Sequence, residues 1–113
     1  MVAKFVFMKV TIMSHTLSIF ARITPKTEFY SAAKLAIINI LPQTRAESGC
    51  LAFNLYEDHG DAHCLYLHEI WNDKVALGFH HAQPYTREVF VNYEDWLASP
   101  VEITELRAVD ITD

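Results

Sequence analysis

The chain has 113 residues, of which 51% are hydrophobic and 20% charged, with 9 Lys and Arg against 14 Asp and Glu. This length suits one compact domain, and the apolar content excludes a disordered tail or linker. The formal charge of −5, with no cluster of basic residues, argues against nucleic acid and membranes as partners. Two cysteines without a C-x-x-C pair make neither a disulfide framework nor a redox or zinc motif, which favours a reducing compartment.

The N-terminal segment imitates a signal peptide but lacks its main features. Lys9 interrupts the apolar run, no small-residue cleavage site follows, and nothing reaches the roughly 20 apolar residues of a membrane span. We therefore expect a cytoplasmic protein. Because Met13 offers a second start, residues 1–14 are predicted to be an extension, either an added edge strand or an arm on a partner chain. Residues 15–110 form the predicted core of a single domain.

The first half of the chain reads as a strand followed by a long helix. Residues 17–23 alternate with period two, which predicts a strand. Thr24 and Pro25 predict the helix start, with the hydroxyl as N-cap and proline at the first helical position. An apolar stripe then runs from Phe29 to Leu41. Pro42 predicts a kink or a restart as a short final turn, and Gly49 marks the end.

The second half reads as a hairpin, a broken helix and a last strand. Residues 50–58 and 64–71 are rich in strand formers and flank the polar loop 59–63. Cys50 and Cys64 then lie at different levels of the hairpin, beyond disulfide reach, so both are predicted to be free thiols. Short helices follow from about Lys74 to His81 and from Pro84. The last strand is predicted over residues 101–109.

The order strand, helix, strand, strand, broken helix, strand is the ferredoxin-like βαββαβ arrangement, an α+β fold. Its antiparallel sheet has helices on one face only. The other face would expose Phe20 and further aromatic or aliphatic side chains, which is more apolar surface than a monomer leaves in water. A second copy of the chain is the simplest cover, so we expect a homodimer.

Four segments together resemble the antibiotic biosynthesis monooxygenase domain. This family is known for a dimeric α+β barrel of ferredoxin-like subunits. It includes cofactor-independent quinol and anthrone monooxygenases, haem-degrading enzymes and a phospho-sugar isomerase. The resemblance covers residues 17–109, and the segments that carry it are Thr44-Arg-Ala-Glu-Ser-Gly-Cys-Leu-Ala-Phe53, Leu55-Tyr-Glu-Asp58, Leu67-His-Glu-Ile-Trp71 and Ala76-Leu-Gly-Phe-His-His-Ala-Gln-Pro-Tyr85.

The resemblance implies catalytic roles for three residues. His80 matches the first histidine of the family's His-x-x-Ser/Thr-x-His pattern and would accept a phenolic proton, the alternative being a solvated histidine at a helix end. Tyr85 replaces the second histidine and would offer its hydroxyl to a quinol. Trp71 matches the Glu-x-Trp tryptophan and would line the pocket, or simply pack in the core. Glu69 is expected to be a structural partner, for example of Arg22 or Arg45, rather than an acid or base, and His81 is expected to face elsewhere.

Further residues are weaker candidates. Phe90 is expected to shape the cavity. Asn54, Tyr56 and His68 are candidate substrate contacts on the hairpin, although a one-residue change of register would move all three to the dimer side. Polar side chains cluster in the hairpin loop, but their spacing matches no closed metal site, so we expect a polar loop tip and no metal; they are Asp58, His59, Asp61, His63 and Cys64.

The resemblance therefore predicts a monooxygenase that acts on a small electron-rich aromatic, such as a quinol or polyphenol, with O2 and no cofactor. A phospho-sugar isomerase is an alternative, but it needs a cationic cradle and the chain offers few candidates beyond Arg87 and Lys74. A non-catalytic binding or stress-response dimer is another. Haem degradation is less favoured, because Ala21 stands where that branch carries an asparagine.

Overall fold

The computed structural model describes residues 16–110. Four strands form one antiparallel sheet in the order β2-β3-β1-β4, with three helices connecting them. The predicted ferredoxin-like α+β fold is confirmed, while the proposed extension over residues 1–14 lies outside the described part. The elements are β1 (Leu17–Ile23), α1 (Tyr30–Ala46), β2 (Cys50–Glu57), β3 (Leu65–Trp71), α2 (Lys74–Ala82), α3 (Pro84–Trp96) and β4 (Glu102–Leu106).

The helices cover one face of the sheet and build the core there. On β3, every second residue points toward the helices and is buried, and Trp71 and Leu65 have no exposed surface. In α1 the predicted apolar stripe is confirmed, since Ala33 and Ile37 pack in the same cluster. No helix of the described residues covers the sheet's other face, where Phe20 is 39% exposed.

The helix start predicted at Thr24 and Pro25 is wrong. Pro25 forms a bridge with Leu97, and the flanking backbone is paired too: Lys26 N–H donates to the Trp96 carbonyl and Ala98 N–H to the Thr24 carbonyl, each at 2.8 Å. These tertiary hydrogen bonds hold residues 24–26 extended. A 3-10 turn over Thr27–Phe29 then leads into α1. Tertiary pairing has overridden a local helix-start signal.

Pro42 does not interrupt α1, which continues as one helix to Ala46. Proline removes the hydrogen bond to the carbonyl four residues earlier, that of Ile38. Both residues lie on the exposed side of the helix, where water can satisfy the freed carbonyl. The expected restart is therefore unnecessary.

The junctions that follow position the two short helices. The Asp73 side chain accepts a hydrogen bond from Ala76 N–H at 2.8 Å and caps α2. Gly49 lies so close to α2 that a Cβ on it would stand 2.3 Å from the Ala76 Cβ. Pro84 opens α3 as predicted. Both cysteines are free thiols, as expected.

The last strand is shorter than predicted, since β4 spans only Glu102–Leu106. Among residues 16–110, the helices are all too short or too polar to cross a membrane.

Candidate functional site

A cavity of about 170 Å³ lies between the sheet and the helices α2 and α3. Within residues 16–110, its walls are mostly aliphatic and aromatic, with four polar or titratable groups and no Lys or Arg among them. An apolar cavity of about 150 Å³ accommodates benzene, so this one suits a single aromatic ring. The lining residues are Ile19, Ala21, Ile23, Leu67, Glu69, Leu77, His81, Phe90, Tyr93, Val101, Ile103 and Glu105.

Two carboxylates face the cavity from β3 and β4, the strands on either side of β1. Ile19 on β1 is paired with Glu69 on β3 and with Glu105 on β4. Because adjacent strands lie about 4.8 Å apart, the backbones of the two glutamates are roughly 10 Å apart, with Ile19 between them. The cavity floor is therefore acidic at both sides and apolar in the middle.

Glu69 is the buried acid of this site, with only 8% of its surface exposed. Its Oε1 accepts a hydrogen bond from the Trp71 indole N–H at 3.0 Å. Burial raises the pKa of Glu69, while the Trp71 hydrogen bond and the nearby His80 act in the opposite direction. The expected partnership with Arg22 or Arg45 is wrong, because those arginines contact other residues.

His81 contributes to the cavity wall, so the expectation that it faces elsewhere is wrong. Burial, and secondly the charge of His80, lowers the pKa of His81, which favours the neutral imidazole. Its ring meets Phe90 edge to face at 5.4 Å, and Phe90 lies 6.0 Å from the Tyr93 ring. Phe90 thus lies at the cavity, as predicted for a residue that shapes it. Burial also raises the pKa of Tyr93.

His80 lies behind the cavity and does not belong to its lining. Its Nδ1 is 2.8 Å from Glu47 Oε2, and the two side chains are only 3% and 5% exposed. The imidazole ring packs against Trp71 at 4.8 Å and against Phe53 at 5.3 Å. Glu47 follows α1 directly, so this pair ties the end of α1 to α2.

Tyr85 belongs to the same buried network as His80. Its hydroxyl donates to the Glu47 oxygen that His80 also contacts. Burial, together with that hydrogen bond, raises the pKa of Tyr85 to about 12. Glu47 Oε1 is buried without a hydrogen-bond partner. Trp71 lies between this network and the cavity: its indole N–H holds Glu69, and its ring packs against His80.

Asn54, Tyr56 and His68 lie on the sheet face that points away from the helices. Of the two faces that the sequence left open for these candidate substrate contacts, this is not the one that lines the cavity. Asn54 pairs with His68 in the register of β2 and β3, and both point away from the helices while their neighbour Phe53 is buried beneath them. His68 Nε2 lies 3.1 Å from the Ser18 hydroxyl. These side chains cannot reach a ligand beneath the helices of the same subunit.

Sequence reasoning missed Glu69, His81, Tyr93 and Glu105 as cavity residues. The two glutamates could be found only with the strand pairing. The alternation of β1 predicts that Ile19 points inward, and residues paired with Ile19 on the neighbouring strands point to the same face. Pairing register, however, is a tertiary property.

Comparison with known proteins identifies relatives of the same fold. The family model described as antibiotic biosynthesis monooxygenase matches residues 16–92. A Mycobacterium tuberculosis protein named "Putative monooxygenase Rv0793" is 30% identical over 98 residues, which cover 87% of this chain and 96% of that protein. Its solved structure superimposes with a TM-score of 0.80, covering 87% of this chain and 99% of that one. The structure of PA3566 from Pseudomonas aeruginosa also gives 0.80, at 30% identity over 87% of this chain and 98% of that one.

The chain therefore belongs to the antibiotic biosynthesis monooxygenase family. An uncharacterised Synechocystis protein is 31% identical over 78 residues, or 69% of this chain, and the match spans 50% of that protein's length. Family membership and the name of the mycobacterial relative support a general monooxygenase-type function.

Proposed function

We propose that the protein is a cofactor-independent monooxygenase of small electron-rich aromatics, a monocyclic quinol or polyphenol being the substrate class. The observation that carries this proposal is a ring-sized apolar cavity that holds a buried carboxyl group, Glu69, with a raised pKa. An acid tuned by burial toward neutral pH is the kind of group that exchanges a proton with a phenol.

Glu69 and His81 are the two groups placed to take the phenolic proton, because both line the cavity. The lowered pKa of His81 keeps its imidazole neutral and able to accept a proton near neutral pH. Glu69 can act as a base once the pH is above its raised pKa, and the Trp71 indole N–H holds its carboxylate in place. His80, the histidine that the family pattern selects, then acts as a positioning residue behind Trp71.

The reaction needs no reductant besides the substrate. Loss of the phenolic proton gives an electron-rich anion, which passes one electron to O2 and forms a substrate radical and superoxide. Their combination makes a C–O bond and gives a peroxide anion on a ring carbon that still carries hydrogen. The protonated base returns its proton to this anion, which becomes a hydroperoxide. Loss of water then leaves a carbonyl, so one oxygen atom enters the product and the other leaves as water. The apolar walls shield the anion from solvent.

The cavity disfavours the phospho-sugar isomerase alternative. A phosphate group needs cationic or N–H donors around it. As far as residues 16–110 line the cavity, they supply two glutamates and no Lys or Arg, so Arg87 and Lys74 are not among the lining residues. The same charges disfavour aromatic substrates that carry a carboxylate.

A homodimer is part of the proposal. The open sheet face exposes Phe20, Tyr56 and Leu106, and Phe20 stacks on Tyr66 at 5.8 Å. A second copy placed on this face would cover these side chains, and it would also bury Asn54 and His68. Aromatic residues exposed side by side are typical of protein interfaces.

Oxygen consumption tests the function. The wild-type protein is mixed with a panel of hydroquinones, catechols and bicyclic quinols, and O2 uptake is followed with an electrode. We expect substrate-dependent uptake that is fastest with single-ring substrates and at least about tenfold slower in Glu69→Gln, because general-base catalysis contributes about 10²–10⁴-fold. His59→Gln, an exposed substitution in the β2–β3 loop, is the matched control and should behave as wild type.

The outcomes separate the alternatives. If the wild-type protein consumes no O2 with any substrate of the panel, the oxygenase proposal is rejected and a non-catalytic dimer is favoured. Equal uptake by wild type and Glu69→Gln would remove Glu69 from the mechanism and leave His81.

A further inference from the structure

The loop between β2 and β3 holds a cluster of metal-binding side chains that the proposed oxygenase does not use. Five of its seven residues, over positions 58–64, are Asp, His or Cys. None of them lines the cavity. Sequence spacing alone favoured a polar loop tip, but the fold brings three of the five together. We call Asp58, His63 and Cys64 the loop triad.

The ligand atoms of the loop triad are already close to coordination distance from one another. One carboxylate oxygen, one ring nitrogen and the thiol sulfur all lie within 4.8 Å of each other. The distance from Asp58 Oδ2 to His63 Nδ1 is 3.7 Å. In a tetrahedral zinc site with bonds of about 2.0–2.3 Å, neighbouring ligand atoms are roughly 3.3–3.8 Å apart. A shift of about 1 Å therefore completes the geometry.

The loop triad combines one mobile ligand with two fixed ones. The His63 side chain is 73% exposed and can turn toward an ion, giving up its 3.1 Å contact with the Asp61 carbonyl. Cys64 is buried, with 1% exposure, at the base of the loop. Asp58 is held by the Tyr66 hydroxyl at 2.7 Å and by Cys64 N–H at 3.0 Å.

Neighbouring groups support the ligands in the manner of outer-shell residues. The Tyr66 and backbone hydrogen bonds orient the Asp58 carboxylate and leave it further lone pairs for a metal. The Thr24 hydroxyl lies 3.6 Å from the Cys64 sulfur.

We propose that Asp58, His63 and Cys64 form a binding site for a zinc-class divalent cation, with water in the fourth position. Thiolate, imidazole and carboxylate together suit Zn²⁺ and its spectroscopic substitute Co²⁺, whereas Mg²⁺ and Ca²⁺ require all-oxygen ligands. Binding releases the thiol proton and clamps the loop to the start of β3. The site is separate from the oxygenase cavity and does not depend on the function proposed for it.

Titration with Co²⁺ tests the proposal, because a cobalt–thiolate bond gives a charge-transfer absorption that other ligands do not. We expect one Co²⁺ per chain, a thiolate band that saturates, and loss of the band when Zn²⁺ is added. Cys64→Ser should abolish the band, and His63→Ala should weaken binding by about tenfold or more. Cys50→Ser removes the other cysteine and should leave both band and affinity unchanged.

The variants keep the test decisive. His63 is exposed, so His63→Ala retains the fold even where Cys64→Ser does not, and circular dichroism checks both. A thiolate band that is absent in the wild type, or that disappears only in Cys50→Ser, would overturn the proposal. Binding that is equally tight in His63→Ala and in the wild type would show an adventitious ion only, and this too would overturn the proposal.

Discussion

Replacing Glu47 by Gln tests whether the network around His80 is a buried ion pair. The change keeps the size of the side chain and an oxygen that can accept from Tyr85, but it removes the negative charge beside His80. The atoms that would lose this attraction, Glu47 Oε2 and His80 Nδ1, are 2.8 Å apart, and their side chains are 5% and 3% exposed. Water cannot replace the lost partner at such burial.

The expected cost is set by that burial. Breaking a buried ion pair by removing one partner costs about 3–5 kcal/mol, whereas an exposed pair contributes about 0–1 kcal/mol. Arg22 and Glu102 provide the exposed comparison, with Nε and Oε2 3.6 Å apart and side chains 50% and 65% exposed. Glu47→Gln should therefore lose a large part of the roughly 5–15 kcal/mol that stabilises a typical domain, and Glu102→Gln almost none.

Urea unfolding followed by circular dichroism measures both variants on one scale. We expect the midpoint of Glu47→Gln to fall clearly below that of wild type at an unchanged slope, and Glu102→Gln to stay near wild type. The double variant Glu47→Gln/His80→Gln should be destabilised less than the sum of the two single variants, because the second change removes the uncompensated group. A loss below about 1 kcal/mol in Glu47→Gln, or strict additivity, would refute the buried pair.

Three further outcomes follow from other parts of the structure. Gly49→Ala should destabilise by about 1–3 kcal/mol in urea, since its Cβ would overlap Ala76, whereas Gly78→Ala, with nothing near its Cβ inside α2, should gain about 0.5–1 kcal/mol. Because the pKa of Glu69 is raised in the folded state, the unfolded chain releases the Glu69 proton at lower pH than the folded protein does. The free energy of unfolding should therefore fall as pH rises from about 4.3 toward the raised pKa, and Glu69→Gln should remove this fall. Phe20→Glu should give a monomeric mass by light scattering where wild type gives a dimer, and a monomeric wild type would contradict the dimer.

The fold was predictable because its signals are local and repeated. Alternation over β1 put Ile19, Ala21 and Ile23 on one face, and all three are buried. The failures have tertiary causes. Thr24 and Pro25 carry a strong helix-start signal, yet their backbone pairs with residues 97 and 98, more than 70 positions later in the chain. No window around Thr24 contains that information.

The hairpin shows why the sheet face of a side chain was harder to predict than the strand itself. The register of β2 against β3 shifts between Cys50 and Ala52, so Leu51 bulges out and is 54% exposed. A bulge of one residue exchanges the two faces for everything on one side of it. Both faces of β2 carry apolar as well as polar residues, so the sequence pattern does not indicate which face of β2 points toward the helices. The sequence accordingly left open which face Asn54 occupies, and the structure puts it on the face that points away from the helices.

The two neighbouring histidines show the same limit at the site. Consecutive helix residues differ by about 100° in direction, so His80 and His81 cannot both face the cavity. The rotation of α2 is set by its cap at Asp73 and by the close approach of Gly49 to Ala76, and it turns His80 toward Trp71 and His81 toward the cavity. A motif records the spacing of residues but not this rotation.

The division of roles between these histidines can be measured directly. His80→Gln should lower the urea midpoint, because it breaks the buried contact to Glu47. His81→Gln should leave the midpoint near that of wild type, since His81 at the cavity wall is only partly buried, and should slow O2 uptake with a single-ring quinol. The reverse pattern, with uptake lost in a fully stable His80→Gln and retained in His81→Gln, would restore His80 as the base.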